Sequence, residues 1–413
     1  MEFKRPSLSP LNHREFRLYV LVRFFYIMAL QMVATVVAYE LFHLTNDSFY
    51  IGLAGLSEFV PAFVLALYAG HVIDRSEKRT LLLRGVFCYM VCVILFIALT
   101  FPSLQKGMDT MVLLMFFYTV IFFTGAIRSF VGPTFNAILS QLVPRNILHF
   151  AASISSTTWL LASISGHASA GFLIHWVGVN GSFVIILIYV IAASIALSKI
   201  GPKPIMNMQT QGRTWESMKE GLRFVFSNKI LLAAISLDLF AVFFGGAKAL
   251  IPEFAEKILS AGSIGFGWLN AAIDIGAAIT LIVYTFSPLK KKQGLAMLFA
   301  IAGFGICMVI FGLSDFYAIS FVALLVAGML DGISVVIRGT VLQLTTPDNM
   351  RGRVSSVNSM FINSSNELGQ FESGLASRLL GGARPAVIFG GIMTVIVVIV
   401  TWVKAPRLRK FQY

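Results

Sequence analysis

Apolar runs of about twenty residues recur along the whole chain and constrain its fold more than any other feature. A helix that crosses the hydrocarbon core of a bilayer needs about 20 mostly apolar residues. Twelve runs reach that length: 16–43, 48–71, 80–101, 109–142, 147–176 and 179–200 in the first half, and 229–257, 264–287, 293–313, 315–345, 350–379 and 385–403 in the second. The residues are 57% hydrophobic and 12% charged, about half the charged share of a soluble domain. The expected class is an all-α integral membrane protein with twelve transmembrane helices and little chain left for a soluble domain.

A formal charge of +13 would by itself suit a nucleic-acid partner. The placement of the charges points elsewhere. Of the 32 Lys and Arg, 24 fall in the tails, alternate loops and adjoining run ends of one side, Arg23, Arg128, Lys248 and Arg338 lie deep within runs, and Lys106, Lys257, Arg378 and Arg384 lie on the other side. Cytoplasmic loops carry this excess in membrane proteins, so both termini are expected in the cytoplasm and no nucleic acid is expected as partner. Lys4, Arg5, Arg14 and Arg17 precede the first run in the manner of a signal peptide. That run is too long for one and another follows at once, so it reads as a membrane helix. Cys88, Cys92 and Cys307 lie in apolar runs without metal-ligand spacing, and read as packing residues. No zincin, nucleophile-elbow or Walker A motif is present, which argues against an enzyme, a nucleotide-driven pump or a bound cofactor.

The longest polar connection, 201–228, divides the chain into halves of six runs each, 1–200 and 229–413. It opens with Gly201-Pro202-Lys203-Pro204, and then Trp215, Met218, Leu222 and Val225 recur at helical spacing among Glu216, Lys219, Glu220 and Arg223. This pattern predicts a short amphipathic helix on the membrane surface. The halves also resemble each other. Sliding by 203 places Gly125 on Gly328, Arg128 on Asp331 and Pro144 on Pro347; sliding by 215 places Arg23 on Asp238. Two equivalent positions thus carry Arg in the first half and Asp in the second.

The stretch from Gly328 to Glu372 is unusually polar for spanning helices. Pro347 disfavours helix at Thr346 and sets a turn over Thr345-Thr346-Pro347-Asp348-Asn349. Asp331, Arg338, Glu367 and Glu372 fall within spans, where each charge costs about 2.5–3.5 kcal/mol on insertion scales. Such residues pair inside a bundle or line a solute or proton pathway. Arg338 follows Asp331 by about two turns on nearly the same face, a spacing that leaves room for water or a substrate group. Ser355, Ser359, Asn363, Glu367 and Gln370 follow helical steps and predict a wet wall. Asp238 lies about nine residues into its helix, about 14 Å deep at 1.5 Å per residue. Lys248 is expected nearer the outer surface, reaching for water along its alkyl stem.

Residues 70–79, GHVIDRSEKR, close the second run. Gly70, Asp74, Arg75 and Arg79 resemble the loop motif of the major facilitator superfamily. AIRSFVGPTFNAILSQLVP, WESMKEGLRFVFSN and LDLFAVFFGGAKALIPEFA are similar to its enterobactin-exporter-like, drug:proton-antiporter branch. The resemblance spans the chain. It implies two pseudo-symmetric six-helix bundles, with helices 1, 4, 7 and 10 lining a cavity. Arg23, Arg128, Asp238, Asp331, Arg338, Asn363 and Glu367 then become the candidates for the substrate and proton pathway. Gly70, Asp74, Arg75 and Arg79 become a cytoplasmic gate, with Asp74 set against the start of helix 11 near Arg351–Val354. One stretch departs from the antiporter pattern: in Gly166-His167-Ala168-Ser169-Ala170-Gly171, His167 stands at the expected proline and Ala170 at a glycine. His167 is open to two roles, a packing histidine or a proton carrier. The implied function is a secondary active transporter, a proton-coupled exporter of a small amphipathic solute such as a drug or siderophore, acting as a monomer in a bacterial inner membrane. An uptake permease or lipid flippase would share the fold, and a receptor or scaffold that does not transport is the alternative of another class.

Overall fold

The computed structural model describes residues 8–205, 214–287, 289, 291–347 and 350–412. Among these residues every regular element is helical. The first half contains α1 (Arg14–Thr45), α2 (Phe49–Arg75), α3 (Lys78–Leu99) and α4 (Thr110–Leu139). The segment Leu148–Ser198 then holds two helices, α5 (148–177) and α6 (179–198), broken at Gly178. Gly178 has φ 72°, a conformation open to glycine because it lacks a Cβ. The second half contains α7 (Lys229–Gly245), α8 (Gly262–Phe286), α9 (Gln293–Leu313), α10 (Tyr317–Thr345), α11 (Arg351–Leu380) and α12 (Ala383–Lys404).

Among the described residues ten helical segments are long and apolar enough to cross a membrane, and one of them, Arg145–Ser198, has 54 residues. At 1.5 Å per residue it would extend about 81 Å, more than twice a hydrocarbon core of about 30 Å. The break at Gly178 divides it into two passes. Among the described residues the expected span outside this group is α11, which is 30 residues long but rich in Ser and Asn. The protein is a multi-pass membrane protein. Its outward side chains agree: Phe286 is 83% exposed, and Trp176 and Val403 are each 70% exposed. Apolar surface of that kind suits acyl chains rather than water.

The expected run 229–257 returns as one crossing segment, Lys229–Ile258, but not as one regular helix: α7 stops at Gly245 and the chain continues through a short 3-10 turn, Lys248–Leu250, and a wide turn, Phe254–Ile258. Gly246 leaves the helical region at ψ 92°, and Pro252 has no N–H to give to an unbroken ladder. The connecting helix Thr214–Ser227 does form, but protein rather than membrane takes up part of its apolar face. Val225 is fully buried and packs in one core with Leu231, Val354 and Val357. A Cβ at Gly221 would stand 3.0 Å from the Arg353 carbonyl oxygen, and Glu220 pairs with Arg353. The side chains of Trp215, Glu216 and Met218, and residues Asp348 and Asn349 of the expected turn, lie outside the described residues.

The chain forms two compact units. One is built on α1–α6 and the other on α7–α12, except that Ala38–Phe59, around the α1–α2 turn, groups with the second. Lipid offers apolar side chains no disadvantage relative to a protein core, so helices in membranes associate through close packing at small residues. In the first unit the core is aromatic: Phe96 stacks on Phe183 at 5.2 Å between centroids, and Tyr26 meets Tyr89 at 5.4 Å. In the second unit α8 and α10 cross at Gly276 and Gly328, where a Cβ would strike the Leu325 and Ile273 carbonyls of the facing helix.

Candidate functional site

In the first unit, polar residues of α1 at steps of four or eight, Tyr19, Arg23, Gln31 and Thr35, lie on one face. Three of them meet α5. Tyr19 Oη lies 2.9 Å from Ser155 Oγ, Gln31 Nε2 donates to Ser163 Oγ at 2.9 Å, and Thr35 Oγ1 lies 2.7 Å from His167 Nδ1. Both sets of numbers rise together, so the two helices run parallel and these are three rungs between them. Gly166 permits the approach, because a Cβ there would stand 2.8 Å from the Met28 carbonyl oxygen.

Thr35 Oγ1 also lies 2.9 Å from the Gln31 carbonyl oxygen, so its hydroxyl bridges its own helix and His167. His167 is buried, with Thr35 as one of its partners. Tyr19 donates to the Phe135 carbonyl at 3.1 Å and accepts from Arg23 Nη1 at 3.1 Å. Arg23 also lies over the Phe135 ring, 5.7 Å from its centroid. Its Nε is buried without a hydrogen-bond partner, and among the described residues no carboxylate pairs with it. Arg128 is half-buried on α4.

In the second unit Arg338 on α10 forms an ion pair with Asp238 on α7, and both side chains are nearly buried, 6% and 5% exposed. Ser334, one turn before Arg338, donates to Asp238 Oδ1 at 3.3 Å. The partner of Arg338 is therefore Asp238 across two helices, and the expected water- or substrate-filled gap from Asp331 to Arg338 is not the arrangement found. Asp331 is half-buried and feels the charges of Lys248 and Asp274 instead. Lys248 lies in the turn after α7, where the Gly245-Gly246 break releases the chain from the helix. Its side chain is open, and its charge acts on Asp331. The Gly-Gly pair beside an intramembrane lysine was the signal for this relation.

On α11, Ser355, Ser359 and Asn363 are exposed, while Glu367 is buried. Glu367 accepts from Gln370 Nε2 at 3.4 Å. The start of α2 packs over this part of α11: a Cβ at Gly55 would stand 2.9 Å from the Glu367 carbonyl oxygen. Ser48, just before α2, donates to Glu253 Oε2 at 2.6 Å, and Arg378 lies 3.9 Å from Asp47.

The motif between α2 and α3 divides its labour. Asp74 and Arg75 are exposed, and open space surrounds the position of a Cβ at Gly70. Arg79 instead donates Nη2 to the Ser198 carbonyl at the end of α6, at 2.8 Å. Lys78 is buried and donates to carbonyls of the last turn of α2, Ser76 at 3.0 Å and Asp74 at 3.3 Å. A cation there also suits the negative end of the helix. Glu77 caps α3 by accepting from the Arg79 and Thr80 amides at 3.0 and 2.7 Å, and it accepts from the Lys203 amide at 2.8 Å. Burial pushes the Glu77 carboxyl up, but the hydrogen bonds from the Thr80 side chain and from the Lys203, Thr80 and Arg79 amides outweigh it and leave it below its ordinary 4.5.

Among the described residues no cluster of His, Cys, Asp and Glu is arranged to hold a metal ion. The arrangement holds charges inside an apolar bundle, where each is costly without a partner.

Comparison with known proteins agrees with this geometry. The enterobactin exporter EntS of Shigella dysenteriae serotype 1 is 26% identical over 357 residues, covering 84% of this chain and 81% of that protein. The solved structure of the nucleoside transporter NupG superposes with a TM-score of 0.76 at 12% identity, over 94% of this chain and 99% of that one. A POT family transporter in complex with 5-aminolevulinic acid superposes with a TM-score of 0.73 at 12% identity, over 96% and 97%. Residues 19–370 match the Major Facilitator Superfamily, and the chain belongs to that family of small-molecule transporters.

Proposed function

We propose that the protein is a proton-coupled exporter of a small amphipathic organic solute of the siderophore or drug class. The charge arrangement inside the apolar helices carries this reading. A buried carboxylate–guanidinium pair, Asp238–Arg338, sits on α7 and α10, and α1 holds a guanidinium, Arg23, with no carboxylate partner among the described residues. Arg23 is the group for an anionic or phenolic oxygen of the solute, with Phe135 and Tyr19 beside it for an aromatic ring. A relative of 26% identity is named an enterobactin exporter, which supports export of a solute of this class.

Coupling follows from the pair. A buried carboxylate is held ionised by a neighbouring cation and gains a proton when that cation turns to another anion. Export driven by protons moving inward requires proton and solute to alternate: Asp238 stays ionised and paired with Arg338 while solute is bound, takes up a proton from outside in the solute-free protein, and expels it to the cytoplasm when the next solute binds. Asp331, which lies in the field of Lys248 without pairing directly with it, is the second candidate proton carrier. Arg128, Asn363 and Glu367 complete the pathway, and Gly70, Asp74, Arg75 and Arg79 act as the cytoplasmic gate of an alternating-access cycle. In this reading the halves are 1–200 and 229–413 joined by 201–228, both termini are cytoplasmic, and a monomer works in the bacterial inner membrane.

The test is flux in proteoliposomes with and without an imposed pH gradient, using a panel of catecholates and amphipathic drugs. A transported solute should lose gradient dependence in Asp238→Asn or Asp331→Asn, and Arg23→Gln should lose affinity for anionic members of the panel. Unchanged coupling in both Asp variants would remove the proton role. Binding without flux across the whole panel would leave a receptor.

A further inference from the structure

A hollow of about 430 Å³ opens where α9 begins and the chain leaves α12, lined by Lys292, Trp402, Arg409, Lys410 and Phe411 among others. Its volume is that of a small-molecule site. Its charge is of one sign. The segments 287–313 and 383–413 contain no Asp or Glu, and among the described residues none of the three lining cations has an ion-pair partner.

The hollow is shaped by the fold. After α12 the chain turns through a short helix, Pro406–Arg409, and drives Leu408 into the core, where it is fully buried. Gly294 N–H then donates to the Phe411 carbonyl at 3.1 Å, which pins the tail against the first turn of α9. Arg409 is held over the Trp402 ring, 5.1 Å from its centroid. Trp402 in turn meets Phe299, with centroids 5.9 Å apart. Phe299 lies one turn beyond Leu295, deeper in the span, and is 65% exposed. The hollow is thus basic at the helix ends and continues into open apolar surface along α9.

That combination fits one class of ligand. Basic pockets at the ends of transmembrane helices take anionic lipid headgroups, and aromatic rings belong at headgroup level. We propose that this hollow seats the phosphate-bearing headgroup of an anionic phospholipid, with Lys292, Arg409 and Lys410 around the phosphate and an acyl chain along Phe299. Orientation by the positive-inside rule needs charges on this side but no shaped recess. Lys291, Lys404 and Arg407 serve orientation equally and line no part of the hollow.

The experiment uses the purified full chain in detergent, with thermal denaturation followed during titration with dioctanoyl phosphatidylglycerol. Parallel titrations use dioctanoyl phosphatidylcholine and inorganic phosphate. The anionic lipid should protect saturably, and the other two should not at the same concentrations. The triple variant Lys292→Gln, Arg409→Gln, Lys410→Gln should raise the midpoint roughly a hundredfold, from about 1 kcal/mol for each basic residue. A control triple, Lys291→Gln, Lys404→Gln, Arg407→Gln, removes the same charge from the same end and should keep the wild-type midpoint. Arg409→Lys is a milder variant that keeps the charge but loses the flat contact with Trp402, and should weaken binding several-fold. Equal weakening by both triples would reduce the effect to general surface charge and overturn the proposal. Equal protection by inorganic phosphate would make it a free-anion site, and equal protection by phosphatidylcholine would make it a nonspecific lipid effect. Either result also overturns it. Because no transport is read, failure here is separate from failure of the export reading.

Discussion

Replacing Asp238 by alanine isolates the energetics of the intramembrane pair. Arg338 cannot shed its proton, and with its side chain 6% exposed water cannot replace the lost carboxylate. Removing one partner of a buried ion pair costs about 3–5 kcal/mol, whereas replacing both by apolar groups of similar volume is neutral or stabilising. Asp238→Ala is therefore expected to lose about 3–5 kcal/mol, part of it through the stranded Ser334 hydroxyl. The double variant Asp238→Leu, Arg338→Met is expected to return to wild-type stability or above. In the matched cycle of wild type, Asp238→Leu, Arg338→Met and the double variant, singles that each lose about 3–5 kcal/mol and a double that loses about none give a coupling energy of about 6–10 kcal/mol. The assay is equilibrium denaturation of these detergent-purified proteins, with flux measured on the same preparations. The double variant should be folded, stable and inactive, which separates a transport role from a packing role. An Asp238→Ala protein as stable as wild type, or a double variant as unstable as the sum of its singles, would refute the reasoning.

Three further outcomes follow from single contacts. Gly166→Leu places a side chain where even a Cβ would stand 2.8 Å from the Met28 carbonyl oxygen; it should part α1 from α5 and cost about 1–3 kcal/mol, read by thermal denaturation. Glu77→Ala removes the cap of α3 and should cost about 0.5–2 kcal/mol at neutral pH. The folded Glu77 carboxyl is lowered below its ordinary value, so its stabilisation is complete above about pH 4.5. That stabilisation is lost as pH falls through the folded value, and Glu77→Gln should flatten this acid-side decline. Thr35→Val removes the hydroxyl that meets His167 Nδ1 in a buried position and should cost about 1–3 kcal/mol, with Thr35→Ser restoring most of it.

The number and class of the helices were legible because the requirement is local: each span must carry its own apolar length, and positive charge accumulates on one side. Even α11, too polar by composition alone, was recognisable from its helical spacing of Ser, Asn and Glu. The charged residues within spans were legible for the same reason, since each stands out against an apolar run. Their pairing was not. Asp331 and Arg338 share a face of α10 and invite a link along one helix, whereas the neighbour across the helix contact, Asp238, takes the guanidinium. The α1–α5 rungs depend in the same way on which faces meet, and the polar steps on α1 were the only trace of them. The roles of Lys78 and Glu77 depend on where α2 ends, a question of which carbonyls and amides lack partners. Sequence periodicity thus determined which residues lie in the membrane and which of them are costly there. Which cation neutralises which carboxylate was decided by tertiary packing, because a side chain's partner is set by the helix that faces it and not by the one that carries it.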